Sequence, residues 1–213
     1  MIKAVIFDMD GVIVDSERLH FEADKLALEG YGVEIADDTL KSYAGVKDVT
    51  MWKELKEIYN LDYSVDELTE RQIQYKLKVF GEKDLKPIDG IPELIGLLKE
   101  KAFKIGLASS SRIELIRLVL DKLGIAGFFD VIVSGEDVAN SKPAPDIFLR
   151  ASELLGVAPG DCLVIEDTGH GVKAAKSAGM KCIGYINANS GKQDLSMADL
   201  TVSSIRDVDV DIF

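Results

Sequence analysis

Only two of the 213 residues are cysteine, Cys162 and Cys182, and each lies in an apolar stretch. A disulfide framework and a cysteine-built metal site are thereby excluded, and two buried thiols in a reducing compartment are the expectation. Positive charge is also scarce: 25 Lys and Arg stand against 37 Asp and Glu, for a formal net charge of −12. Nucleic acids and anionic membranes select clustered Lys and Arg, so neither is an expected partner. No apolar run is long enough for a membrane span or a signal peptide, since Ile2–Phe7 is stopped at once by Asp8 and Asp10. A cytoplasmic protein is the expectation. With 47% hydrophobic residues, the chain has enough apolar material for one sizeable core, or a core carrying a smaller second unit.

What is present is a rhythm. Short β-leaning apolar runs recur at Ala4–Phe7, Lys104–Ala108, Val131–Val133, Leu163–Ile165 and Cys182–Tyr185. Between the later ones lie helical patterns: Ile113, Ile116, Leu120 and Leu123, closed by Gly124; Asp146 to Leu155, stopped by Gly156; and about Gly171 to Ala178, ended by Gly179. Strands alternating with helices imply crossovers and a parallel sheet covered on both faces, a three-layer Rossmann-like α/β architecture. From about Asp15 to Phe80 the rhythm breaks. Glu17–Leu28, Asp48–Tyr59 and Val65–Phe80 read as helices with no strong strand between them, the Trp52, Leu55 and Tyr59 stripe being a core face. The organisation expected is therefore an α/β core, residues 1–14 and 82–213, interrupted by an all-helical insertion, residues 15–81.

In an open parallel sheet, ligands bind beyond the carboxyl ends of the strands. Asp8-Met9-Asp10-Gly11 follows the first run, Ser109-Ser110-Ser111 the second, Ser141-Lys142-Pro143 comes after the third, and Glu166-Asp167 follows the fourth. Each alone could be a turn or a helix cap; four at successive strand ends converge on one rim. A carboxylate attacking a phosphate dianion needs a cation between the two charges, and Asp8, Glu166 and Asp167 offer hard oxygen ligands suited to Mg²⁺. Asp8 is the candidate nucleophile and Asp10 the candidate acid/base. Ser109 with nearby backbone N–H groups would bond phosphoryl oxygens, Lys142 would supply the positive charge the surface lacks, and Gly11 would let backbone approach the phosphate.

These four segments, in this order, resemble the signature motifs of the haloacid dehalogenase superfamily. The resemblance spans nearly the whole chain, and the insertion after the first motif is similar to the helical cap of the subgroup holding small-molecule phosphatases and β-phosphoglucomutase. It implies an aspartyl-phosphate on Asp8, Mg²⁺ held by Asp8, Asp10, Glu166 and Asp167, and phosphate contacts from Met9, Ser109, Ser110 and Lys142. It also implies a cap that closes over the core, with His20, Gly45 and Lys47 toward substrate. Asp10 speaks against dehalogenation, because the dehalogenases of the superfamily lack it.

The choice within the subgroup turns on Ala44-Gly45-Val46-Lys47-Asp48. The Gly-Val turn resembles that of β-phosphoglucomutase, but Ala44 and Asp48 stand where basic residues would hold a second phosphate. A phosphatase acting on a small phosphorylated metabolite, such as a sugar phosphate, is the expectation, as a monomer or weak homodimer; a phosphomutase is the alternative. A phospho-acceptor signalling module shares the sheet, the acidic cluster and the Lys. An acceptor on the first strand and the helical insertion count against that reading.

Overall fold

The computed structural model describes residues 1–41, 43 and 48–212. Its centre is β1 (Ala4–Phe7), buried at every position, which places four apolar side chains between two layers of helix. β2 (Lys104–Ser109) pairs with one side of it and β4 (Cys162–Glu166) with the other, both parallel. β3 (Val131–Ser134), β5 (Lys181–Tyr185) and β6 (Leu200–Val202) extend the sheet to the order β3-β2-β1-β4-β5-β6, parallel throughout. The near-continuous apolar strands of the sequence are those of a sheet covered on both faces. One side packs Ile6, Ala108, Val164 and Cys182 against Phe148, Ala151, Val172 and Ala175.

The covering helices follow the sequence pattern. α6 (Ile113–Leu123) and α7 (Asp146–Leu155) end where Gly124 and Gly156 take left-handed conformations, φ 67° and 65°. α8 (Gly169–Ser177) starts two residues earlier than its apolar spacing indicates, because Thr168 caps it through the Gly171 N–H. α5 (Ile91–Glu100) and β6 are elements the sequence reading does not contain. Pro92 suggests a break, yet it occupies the first turn of α5, where a missing N–H costs nothing.

The chain divides into two compact units, residues 1–16 with 85–213, and residues 17–84. The second is all-helical: α1 (Glu17–Glu29), α2 (Asp37–Lys41), α3 (Asp48–Tyr59) and α4 (Val65–Glu82). Its core gathers Ala27, Leu28, Met51, Trp52, Leu55 and Leu68. Ser64 caps α4 in a reciprocal pair with Glu67, an arrangement worth about 1 kcal/mol. A buried polar network ties three helices: Trp52 Nε1 donates to Gln72 Oε1 (2.9 Å), and Gln72 Nε2 donates to Asp24 Oδ1 (2.6 Å). Lys76 pairs with Asp48 at 2.8 Å and lies 3.8 Å from Asp24.

Candidate active site

Strand register brings the acidic residues together. Phe7 lies level with Ile165, and the Asp8 N–H donates to Ile165 O at 3.0 Å, so Asp8 leaves β1 beside Glu166 at the end of β4. Asp8, Glu166 and Asp167 are all buried, and one carboxylate oxygen from each lies within 4.8 Å of the others. Lys142, from the segment between β3 and α7, reaches into this group. Its Nζ donates to Asp8 Oδ1 (2.5 Å), Glu166 Oε1 (2.7 Å) and Ala108 O (3.2 Å), and rests 4.9 Å from the Phe148 ring centroid.

The charges are crowded. Burial pushes the Asp8 carboxyl well above the usual carboxylate range; Lys142 pulls it down, while Glu166, Asp10 and Asp167 push it further up. Asp167 is pushed up to about 7, by burial first and then by Glu166. Burial opposes the charge on Lys142, but Asp8 and Glu166 outweigh it and hold the ammonium protonated above its ordinary range. Three buried carboxylates against one ammonium leave negative charge in excess, which is the condition that favours a bound divalent cation.

The residues fit such a cation. Asp167 Oδ1 is buried with no hydrogen-bond partner among the described residues, an arrangement costly unless something else takes its lone pairs. All three side chains are hard oxygen donors, the ligand type of Mg²⁺. Their surroundings are fitted to them. Glu166 Oε2 accepts from Thr168 N–H and Oγ1, both at 2.9 Å, and a Cβ on Gly171 would fall 1.8 Å from the Glu166 carboxyl carbon. At Gly11 (φ 79°) a Cβ would fall 2.0 Å from Asp167 Oδ2. The backbone at Gly11 thus lies close against the Asp167 carboxylate, where a side chain would not fit.

Asp10 lies near enough to the acidic triad for its charge to raise the pKa of both Asp8 and Asp167. Its carboxylate accepts from Ser16 Oγ (2.6 Å), Ser111 Oγ (2.9 Å) and Ser109 Oγ (3.3 Å). Its side chain therefore engages a hydroxyl cluster made by Ser16 and the end of β2. The Met9 side chain is buried, leaving only its backbone for a ligand. Ser109 is fully buried and accepts from the Ser111 N–H at 3.1 Å, whereas Ser110 is exposed. Of that serine run, Ser111 rather than Ser110 joins Ser109 on Asp10. His20 is half-buried in the helical unit, its ring 5.0 Å from that of Phe80. Gly45 and Lys47 lie outside the described residues.

The strand-end rule also has a fifth application, to the segment after β5. Asn187 Nδ2 donates to Gly11 O at 2.9 Å, Ser190 Oγ donates to Asp167 Oδ2, and Asn189 Nδ2 donates to Asp15 Oδ2. Their position just past Cys182–Tyr185 is the signal that would have found them. Both cysteines are buried and free, and burial raises each thiol pKa, that of Cys162 to about 11. No helix among the described residues is long and apolar enough to cross a membrane.

Comparison with known proteins supplies a family. The sequence profile described as haloacid dehalogenase-like hydrolase matches residues 5–185. A phosphorylated carbohydrates phosphatase of Thermotoga maritima is 38% identical, over 89% of this chain and 88% of its own length. A β-phosphoglucomutase of Bacillus subtilis is 36% identical, over 99% of this chain and 93% of its own. The crystal structure of a β-phosphoglucomutase from Clostridium difficile superposes with a TM-score of 0.82 at 31% identity, covering 100% of this chain and 95% of that one.

Proposed function

We propose that this chain, which belongs to the haloacid dehalogenase-like hydrolase family, hydrolyses small phosphomonoesters, sugar phosphates among them, by way of an aspartyl-phosphate on Asp8. The observation that carries the reading is the buried Asp8–Glu166–Asp167 group bridged by Lys142. Asp8 attacks phosphorus as the ester P–O bond breaks, and protonated Asp10 gives its proton to the departing alkoxide. Asp10 then takes a proton from the water that attacks the aspartyl-phosphate, releasing inorganic phosphate and restoring Asp8. Ser16, Ser109 and Ser111 orient Asp10 for both transfers, and Lys142 balances charge on the phosphoryl oxygens. Magnesium held by Asp8, Glu166 and Asp167 supplies the neutralisation that lets a carboxylate and a phosphate dianion meet.

Hydrolysis is the reading supported by the sequence of the helical unit, where Ala44 and Asp48 stand in place of the basic residues a phosphomutase would carry. A bisphosphate intermediate needs a second cationic site, and the buried cation described there, Lys76, is already matched by Asp48 and Asp24. Similarity to both a phosphatase and a phosphoglucomutase supports phosphoryl transfer without deciding between them. The test is phosphate release from a panel of sugar monophosphates, with and without Mg²⁺, alongside Asp8→Asn and Asp10→Asn. Asp8→Asn is expected to lose at least about a thousandfold in rate, on the order of 4 kcal/mol. Asp10→Asn should lose far more on a sugar phosphate than on p-nitrophenyl phosphate, whose leaving group needs no proton. Conversion of β-glucose 1-phosphate to glucose 6-phosphate without free phosphate would overturn the hydrolase reading.

A further inference from the structure

The segment joining β5 to β6 is tied to the site and its flank by hydrogen bonds, and braced by others within itself. Asn187 is buried, donates its amide to Gly11 O, and accepts the Asn189 N–H on its own Oδ1 at 2.8 Å. Ser190 Oγ donates to Asp167 Oδ2, and a Cβ on Gly11 would fall 2.9 Å from that same hydroxyl. Gln193 Nε2 donates to Ser190 O at 2.9 Å, while its Oε1 accepts from Gly169 N–H at 3.2 Å. The segment thus links the turn after β1 to the start of α8, across the carboxylate of Asp167.

We propose that this strap is a positioning device for the cation site, with Ser190 as its working residue: by occupying Asp167 Oδ2, Ser190 leaves Oδ1 as the oxygen presented to the divalent ion. Three observations carry this. The two oxygens of Asp167 are unlike, one bonded to a hydroxyl and one buried without a partner among the described residues. Gly11 presents no side chain to the space where Oδ2 and the Ser190 hydroxyl meet, so that bond has room to form. Finally, packing holds the strap weakly. Ala188, Asn189 and Gly191 to Asp194 are exposed, and a cleft of about 500 Å³ lined by Asp167, Asn187, Lys192, Gln193 and Leu195 runs along it. Its place is therefore fixed by hydrogen bonds, and losing one leaves Asp167 free to turn. Such outer partners govern how well a ligand is oriented, typically ten- to a hundredfold in metal affinity.

The inference rests on the cation reading of the site, and its test separates the two. Calorimetric titration of Mg²⁺ into the intact, EDTA-stripped protein gives affinity without turnover; Ser190→Ala and Ser190→Thr are titrated beside wild type, and all three are assayed for phosphate release. Ser190→Ala is expected to bind Mg²⁺ roughly ten- to a hundredfold more weakly, with kcat recovered at saturating Mg²⁺. Ser190→Thr, which keeps the hydroxyl, should restore affinity. Wild-type Mg²⁺ binding with Ser190→Ala within twofold of it overturns the strap and leaves the cation site standing. Absence of Mg²⁺ binding by wild type overturns both. Weakened binding in Ser190→Thr equal to that in Ser190→Ala also overturns the proposal, since side-chain shape rather than the hydrogen bond would then be responsible.

Discussion

Asp167 carries the sharpest consequence at the scale of single residues. Folding raises its pKa from an ordinary 3.8 to about 7, burial and Glu166 being the causes. Between those values the folded protein holds a proton that the unfolded chain has released, so stability falls as pH rises through that window. The slope from this group is at most about 1.4 kcal/mol per pH unit. In EDTA, the melting temperature of Asp167→Asn should therefore fall less between about pH 4 and 7 than that of wild type, because an amide has no proton to lose. Parallel curves for the two proteins would contradict the assignment. Saturating Mg²⁺ should flatten the wild-type curve by taking the place of the proton. The core residues of this site were legible because each follows an apolar run, and strand ends in a parallel sheet are where ligands bind. The place of Asp10 near the strand ends was legible, but its turn toward Ser16 and Ser111 was not. Ser190 and Asn187 act on residues more than 20 and 170 positions away, respectively, and no local pattern records such a pairing.

Elements announce themselves in proportion to their length and the regularity of their apolar face. α3 and α7 could be bounded from sequence to the residue, α3 by its buried stripe and α7 by its stripe together with the terminating Gly156. β6, three residues at the sheet edge, has too few positions to show a period. The start of α8 was hidden for another reason. Gly169-His170-Gly171 reads as a loop by propensity, yet those glycines are required by what they touch: Asp194 O beside Gly169 and the Glu166 carboxylate beside Gly171. Gly171→Ala forces a methyl group onto that carboxylate. The expected cost is about 1–3 kcal/mol, a fall of several degrees in melting temperature for a chain of this size, together with reduced phosphatase rate. A Gly171→Ala protein as stable and active as wild type would show that Glu166 has room the structure denies it.

For the whole molecule, the net charge of −12 opposes the very ligands proposed for it. A phosphate dianion approaching at low ionic strength meets long-range repulsion, and at short range attraction would need Lys142 together with the divalent cation proposed for the site. Raising salt from about 0.01 to 0.15 M shortens the screening length from roughly 30 to 8 Å. At fixed, saturating Mg²⁺, kcat/KM for a sugar monophosphate should then rise roughly two- to tenfold, with kcat little changed. A decrease with salt would mean that attraction within the site, rather than the global field, governs capture.

The central strand has one more consequence, and it concerns time. Ala4 in β1 finds its neighbours at Lys104 on one side and Cys162 on the other. A ribosome delivers that strand first and its second partner only after most of the chain has emerged. The described residues of the cluster around Trp52 all come from the helical unit, residues 17–84. Such distant pairings are slow to close, so the strand that carries Asp8 depends for its place on the latest contacts of the sheet.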